Sequence, residues 1–243
     1  MIRNGERLDD LCINGWHILQ RPDGFRFGMD SVLLADFASG RKGIRRAVDL
    51  GTGSGVLPLL IRARMPDVCF DAVEIQPDIA DMAARTMCIC QMDAFIHVHQ
   101  MDLLDAPKAL GHERYDLAVA NPPYGKMGAS LRNEKMERRM ARHEEGVGIG
   151  AICQSAFALL RNGGRFALIF PSQRFLEMMN ALCTARIEPK RVRFIHPRWG
   201  SEPNLFLVEG IKAAKPGLHF MPPLYIRDGN GNETDALKSI YRM

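Results

Sequence analysis

The tetrad Asn121-Pro122-Pro123-Tyr124 carries the most specific chemistry in this sequence. Two prolines remove two amide donors and fix the backbone, so the segment offers carbonyls that only accept hydrogen bonds. The Asn121 side-chain oxygen and the Pro122 carbonyl together suit one NH2 group whose nitrogen lone pair must face an electrophile. The Tyr124 ring suits the flat system that bears that nitrogen. Such a nitrogen is delocalised and weakly nucleophilic. A site for it works by placement and by acceptors that ease pyramidalisation, in place of strong base catalysis.

A second group of residues reads as a nucleoside pocket. Asp49-Leu50-Gly51-Thr52-Gly53-Ser54-Gly55 ends an apolar run with a glycine-rich turn of the kind that brings backbone amides close to a ligand. The dinucleotide fingerprint would need glycine at position 56; Val56 stands there, which points away from a nicotinamide cofactor. Glu74, in Ala72-Val73-Glu74-Ile75, suits the paired hydroxyls of a ribose, and Asp102, in Gln100-Met101-Asp102-Leu103, suits an adenine amino group. Acidic residues closing three successive strands mark the carboxyl edge of a parallel sheet, where such folds bind ligands.

Those residues must be positioned by alternating strands and helices. The apolar runs predict strands over Arg46–Leu50, Phe70–Glu74, Phe95–Gln100, Tyr115–Ala120, Arg165–Phe170, Arg191–His196 and Leu205–Ile211. Helices are expected over Val56–Arg64, Asp78–Cys90, Gly150–Arg161 and Ser172–Ala185, the third stopped by Asn162-Gly163-Gly164. The fold class is α/β, a doubly wound, seven-stranded and mostly parallel sheet. Its last two strands are too close in sequence for a helical crossover and should form an antiparallel hairpin at a sheet edge. Residues 1–45 read as an extension packed on the core, with a hairpin of Cys12–Gln20 against Phe25–Phe27 and a helix from Asp30 to Ala38. Residues 46–215 read as the main domain and residues 216–243 as a C-terminal tail.

Asp49–Gly55, Glu74, Asp102 and Asn121–Tyr124 resemble the class I S-adenosylmethionine-dependent methyltransferases, in particular the amino-methyltransferases marked by an N/D-P-P-Y/F tetrad. The resemblance implies that Asn121, Pro122, Pro123 and Tyr124 hold the target nitrogen. It implies that Asp49, Gly51, Thr52, Gly53, Ser54 and Gly55 lie beside the methionine part of the cofactor, Glu74 and Ile75 at its ribose, and Asp102 and Leu103 at its adenine. The stretch Phe25-Arg26-Phe27-Gly28-Met29-Asp30-Ser31-Val32-Leu33-Leu34 is similar to one that, in the bacterial tRNA1(Val) adenine N6-methyltransferases, covers the cofactor from the N-terminal side. Phe27 and Gly28 join the cofactor set on that ground. Arg142-His143-Glu144 also looks like that subfamily. The implied reaction is methylation of the N6 amine of adenine-37, with S-adenosylhomocysteine as product.

Charge fits a polyanionic partner without requiring one. The chain of 243 residues has a formal charge of +4. Two basic stretches suit RNA backbone: Lys126, Arg132, Lys135, Arg138, Arg139 and Arg142 in the long connection after the tetrad, and Lys190, Arg191, Arg193, His196 and Arg198, with Trp199 at hand for stacking. His143 and His196 are candidate bases. Hydrophobic residues make up 47% of the chain, enough for a core, yet no run is long enough for a membrane helix. The six cysteines form no CxxC pair, so metal is not expected and the cytoplasm is. The oligomeric state stays open. The same tetrad also fits a guanine in rRNA, an adenine in DNA or a protein glutamine, and a non-catalytic cofactor-binding RNA module is the reading outside enzymology.

Overall fold

In the computed structural model, residues 2–21, 28–122 and 148–242 are described. Among them, β3 (Arg46–Leu50), β4 (Cys69–Glu74), β5 (Ile96–Gln100), β6 (Tyr115–Ala120), β7 (Leu160–Pro171), β8 (Ile187–Arg198), β9 (Leu205–Lys212), β10 (His219–Phe220) and β11 (Leu224–Arg227) form a nine-stranded sheet. Its order is β10-β8-β9-β7-β6-β3-β4-β5, with β11 also pairing β8. β9 runs antiparallel to both β7 and β8; the other pairings in the sheet are parallel.

Strict alternation within buried strands splits the core into two layers. Ala47, Phe70, Ala72, Leu117, Val119, Ala167 and Ile169 face one side, packing with α1 (Met29–Ala38), α2 (Val56–Arg64) and α7 (Asp235–Tyr241). Val48, Val73, Ala118, Ala120, Phe166, Leu168 and Phe170 face the other, against α5 (Ile149–Leu159) and α6 (Phe175–Thr184). Both faces of each central strand are therefore apolar, as covered parallel sheets require. The remaining helices are α3 (Pro77–Ile89) and the short α4 (Ala106–Leu110).

The doubly wound α/β fold with a β8–β9 antiparallel hairpin matches the expectation, but the hairpin is not the edge. The segment read as a tail adds β10 and β11 in parallel to β8 and buries Leu224, Leu237 and Ile240 in the core. Two short strands raise the count from seven to nine. They escaped the pattern because each is too brief to show alternation.

The strand expected over Cys12–Gln20 is shorter, and it has a partner on its N-terminal side. β1 (Arg7–Asp10) pairs antiparallel with β2 (His17–Gln20), and Phe25–Phe27 lies outside the described residues. Asn14 and Gly15 take φ of 51° and 68°, and Asp10 Oδ1 accepts the Cys12 amide at 2.8 Å. The Asn-Gly dipeptide, a standard turn signal, closes the connection between the two strands. The hairpin is clamped to α3: Arg85 donates to both Glu6 oxygens at 2.8 and 2.5 Å, and the Leu19 amide donates to the buried Thr86 hydroxyl at 3.1 Å.

Nor do Asn162-Gly163-Gly164 stop a helix. α5 ends at Leu159, and these residues form an irregular start to β7, with Gly163 at φ 77°. A side chain at position 164 would stand 2.8 Å from the Arg161 carbonyl and 3.0 Å from that of Tyr115. The glycines serve a tight strand junction in place of a helix cap.

One buried ion cluster ties the antiparallel part together. Glu209 on β9 is fully buried and accepts from Arg165 on β7 at 2.8 Å and from Arg191 on β8 at 2.9 and 3.0 Å. Arg191 also donates to the Phe37 carbonyl at the end of α1 and lies over the Phe37 ring. Removing one partner from such a cluster strands the other charges away from water. Glu209→Ala is therefore expected to lose about 3–5 kcal/mol of stability, measured by urea unfolding, with Glu209→Gln losing less because its one remaining carbonyl oxygen still accepts from arginine.

Candidate active site

The carboxyl ends of β3, β4, β5 and β6 converge on one edge of the sheet. At the end of β3, Gly51, Gly53 and Gly55 have φ of 84°, 56° and 82°, a region in which a Cβ is costly. Their surroundings differ. A Cβ on Gly55 would come within 2.4 Å of Met87 Cε, so this glycine lets α2 approach α3. At Gly51 and Gly53 nothing lies within 4 Å of that position, and these two border open space.

The turn does not hold a nest of free donors. The amides of Gly51 and Thr52 both donate to the Val73 carbonyl at 2.9 Å, that of Gly55 to the Thr52 carbonyl at 3.0 Å, and that of Gly53 to Glu74 Oε2 at 3.0 Å. Glu74 Oε1 accepts the Gln76 amide at 2.9 Å. The buried Glu74 carboxylate thus fixes the loop before α2 and the loop before α3 together. The amides expected to face a ligand are used for this purpose, and the turn acts as a shaped wall.

Four buried acceptors on this edge lack a hydrogen-bond partner among the described residues: both oxygens of Asp49, the Thr52 hydroxyl and Asn121 Oδ1. Buried polar atoms are nearly always paired, because each orphan costs about 1–3 kcal/mol. Asp49 and Asn121 sit at the ends of neighbouring strands, β3 and β6. Together they ask for donors from something lying over the turn. Burial pushes the Asp49 carboxyl up to about 7 against the opposing pull of the Thr52 hydroxyl beside it, and the nearby Glu74 charge adds to the rise.

Asn121 is oriented by a residue the sequence did not single out. Its Nδ2 donates to the Ser31 hydroxyl at 3.1 Å, from within α1. With the amide nitrogen held there, Oδ1 is the atom left unpaired. Ser31 is buried in the run Ser31-Val32-Leu33-Leu34-Ala35, where a lone hydroxyl calls for a partner that the sequence does not name.

The other expected residues complete the edge. Asp102, half-buried after β5, uses Oδ1 to accept the Leu104 amide at 2.9 Å, which fixes the carboxyl in an Asx turn and leaves Oδ2 for another donor. Ile75 is 39% exposed and Leu103 half-buried, so apolar side chains flank the two acidic groups. Ser54 and Pro122 are half-buried, and Gly28 is the N-cap of α1. Phe27, Pro123, Tyr124, Lys126, Arg132, Lys135, Arg138, Arg139, Arg142 and His143 lie outside the described residues.

The second basic stretch is mostly engaged within the protein. Arg191 belongs to the Glu209 cluster. Arg193 has its Nε buried without a partner, and burial lowers its pKa against the opposing pull of Asp36. Lys190 donates to the Lys215 carbonyl, and His196 Nδ1 lies 2.7 Å from the Ser201 carbonyl. Both faces of β8 are covered: Arg191 and Arg193 lie on the face of Ile195 and meet Glu209 and Asp36, while Val192 and Phe194 pack on the other. Arg198 is exposed. Among the described residues no three His, Cys, Asp or Glu side chains cluster as metal ligands, and no helix is long and apolar enough to cross a membrane.

Comparison with known proteins agrees with this arrangement. The methyltransferase small domain family matches residues 30–185. A protein of Porphyromonas gingivalis named tRNA1(Val) (adenine(37)-N6)-methyltransferase is 31% identical over 206 residues, which cover 83% of this chain and 80% of that one. One of the same name from Tolumonas auensis is 32% identical over 205 residues, covering 79% of each. Among solved structures, an Agrobacterium tumefaciens protein described as a predicted O-methyltransferase superposes with a TM-score of 0.72 at 24% identity, covering 88% of this chain and 95% of that one, a likeness of fold.

Asp49 yields a test in the free protein. Its folded pKa lies above the usual carboxylate value, so the folded state holds the proton more tightly than the unfolded one. Stability should therefore fall as pH rises from about 4, the unfolded pKa, to about 7. Urea unfolding across that window is expected to show the decline in the wild type and a flatter profile in Asp49→Asn.

Proposed function

Because the chain belongs to the methyltransferase small domain family, we propose that it methylates the N6 amine of an adenine in tRNA. By likeness to its relatives, the target is adenine-37 of tRNA1(Val). The observation that carries this reading is the set of orphaned acceptors, Asp49, Thr52 and Asn121, around a turn that leaves open space at Gly51 and Gly53. They fit two kinds of donor that a methyl transfer to an amine brings together. S-adenosylmethionine supplies an electrophilic methyl on a positive sulfur and leaves as S-adenosylhomocysteine.

The residues divide the work between binding and aiming. Asp49 suits the cofactor's ammonium group, whose charge offsets the burial that keeps the carboxyl protonated near neutral pH. Glu74, held rigid by two amides, suits the ribose hydroxyls, and Asp102 Oδ2 an adenine amine. Ile75 and Leu103 supply the apolar contact for the adenine ring.

Asn121 does the catalytic aiming. Its Oδ1 accepts from the target NH2, and the second acceptor is the Pro122 carbonyl. As the nitrogen becomes tetrahedral its N–H bonds grow more acidic, so both acceptors bind the transition state better than the flat ground state. Ser31 acts as a positioning residue: by taking the amide nitrogen it keeps the oxygen turned toward substrate. After transfer the nitrogen sheds its proton to water, and no strong base is required. A tRNA substrate places this work in the cytoplasm.

The tests follow from that division. Incubated with labelled cofactor and tRNA, the wild type should yield N6-methyladenosine by nucleoside mass spectrometry; rRNA, DNA and a glutamine-bearing protein assayed in parallel should stay unlabelled. Asn121→Ala should reduce kcat about 100- to 1,000-fold with cofactor affinity by calorimetry retained. Ser31→Ala is expected to lower kcat about 10-fold, the size of one net hydrogen bond, with Ser31→Thr recovering part of it. Wild-type turnover in Asn121→Ala would remove Asn121 from the mechanism.

A further inference from the structure

Beyond the reacting edge, three aromatic rings line up at the far end of β8. Trp199 leans on Tyr225 at 4.7 Å between centroids, tilted by 44°, and Tyr225 on His196 at 4.8 Å, tilted by 39°. Trp199 remains 67% exposed. Single exposed hydrophobic residues are ordinary on a protein surface. This one is held rigidly: its amide donates to the Arg227 carbonyl at 2.8 Å, and the Ser201 hydroxyl and amide both close onto the Arg198 carbonyl, at 2.8 and 3.1 Å. Gly200, at φ 76°, completes the turn.

Sheet topology puts these rings beside the active site. β7 is parallel to β6, β9 antiparallel to β7 and β8 antiparallel to β9, so β8 and β6 end on the same edge. β11, which carries Tyr225, is parallel to β8 and ends there too. From β6 to β8 is three strand spacings, about 14 Å at the usual separation. The register aligns Ala120 with Val192, so the end of β8 at Arg198 stands about 17 Å further along the strand than Asn121. The diagonal of about 22 Å equals about six to seven nucleotides at the about 3.4 Å rise of a stacked strand.

Between them lies an open cleft lined by Ser172, Gln173, Phe175, Phe194, Glu202 and Pro203. It has a ring face in Phe175 and Phe194, packed together at 5.4 Å, and an exposed acidic acceptor in Glu202. A phosphate would be repelled by Glu202. A base amine or a ribose 2′-hydroxyl would be welcomed by it. At the far side Arg198 and Arg227 are exposed beside the rings, where a backbone phosphate fits.

We propose that the Trp199–Tyr225–His196 cluster is a stacking platform for an unpaired nucleotide of the substrate RNA, within about seven nucleotides of the methylated base. The cleft holds the stretch between them. The platform rests on the RNA reading given above and adds the second contact that fixes which base reaches Asn121. Stacking suits an unpaired loop, whose bases turn outward, and is tolerant of base identity. The indole is presented already oriented, so binding costs little ordering.

Kinetics of tRNA methylation by the full chain test the platform. Trp199→Ala should raise the KM for tRNA about 10- to 100-fold, with kcat moving far less and the melting temperature unchanged. Trp199→Phe, which keeps a stacking face, should recover most of the loss. Directly, added tRNA should quench tryptophan emission in the wild type, and the quench should disappear in Trp199→Phe, where Trp16 is the remaining indole. An unchanged KM in Trp199→Ala, or a quench that survives in Trp199→Phe, overturns the platform while leaving the proposed reaction standing. If the wild type binds cofactor yet leaves tRNA unmethylated, the RNA reading fails and the platform falls with it.

Discussion

The hydrogen bond from the Gly53 amide to the buried Glu74 carboxylate is the contact on which the site's geometry depends. It couples two consecutive crossover loops through one side chain, whose other oxygen holds the Gln76 amide. A carboxylate fixed by two backbone donors cannot swing toward Asp49, so two acidic groups share one edge without collapsing into a shared-proton pair. The open space at Gly51 and Gly53 is kept by the same contact, since a turn released from Glu74 would be free to close over the end of β3. Binding capacity here comes from using up the amides of the turn and leaving the side-chain acceptors bare.

Those bare acceptors show how charge can be stored for a ligand. Asp49 is buried deeply enough to prefer its proton near neutrality, a costly arrangement for the free protein. In the proposed reading the cost turns into selectivity, because a neutral isostere of the cofactor's ammonium would not recover it. Asn121 follows the same logic with a neutral group: Ser31 satisfies one half of its amide and leaves the other half wanting. Since Ser31 belongs to α1, the N-terminal extension contacts Asn121 directly.

The main elements were legible because they obey simple periods. β3 to β6, α2 and α3 sit where apolar runs and helical spacing put them, and Asp49, Glu74, Asp102 and Asn121 stand at strand ends as their sequence positions imply. Several features were not legible, each for a physical reason. Arg191 and Arg193 looked like a solvent-facing basic patch because sequence does not reveal that Glu209, eighteen residues away, is buried across from Arg191. Ser31 was hidden because its partner lies ninety residues on, in a different layer. β10 and β11 are held in place by an existing strand more than by their own pattern. The use of the turn's amides depended on Val73 and Glu74 reaching back to it, a tertiary fact that a glycine count cannot contain.

The packing of α1 has a consequence for biosynthesis. This helix is apolar on nearly every side, with Val32, Leu33, Leu34, Ala35, Phe37 and Ala38 all buried, and part of its cover is Leu237 and Ile240 on α7. An elongating chain exposes α1 early and gains α7 only when residue 240 has left the ribosome tunnel. Until then the side of α1 that Leu237 and Ile240 cover stays open, and transiently exposed apolar surface of that kind favours association over folding.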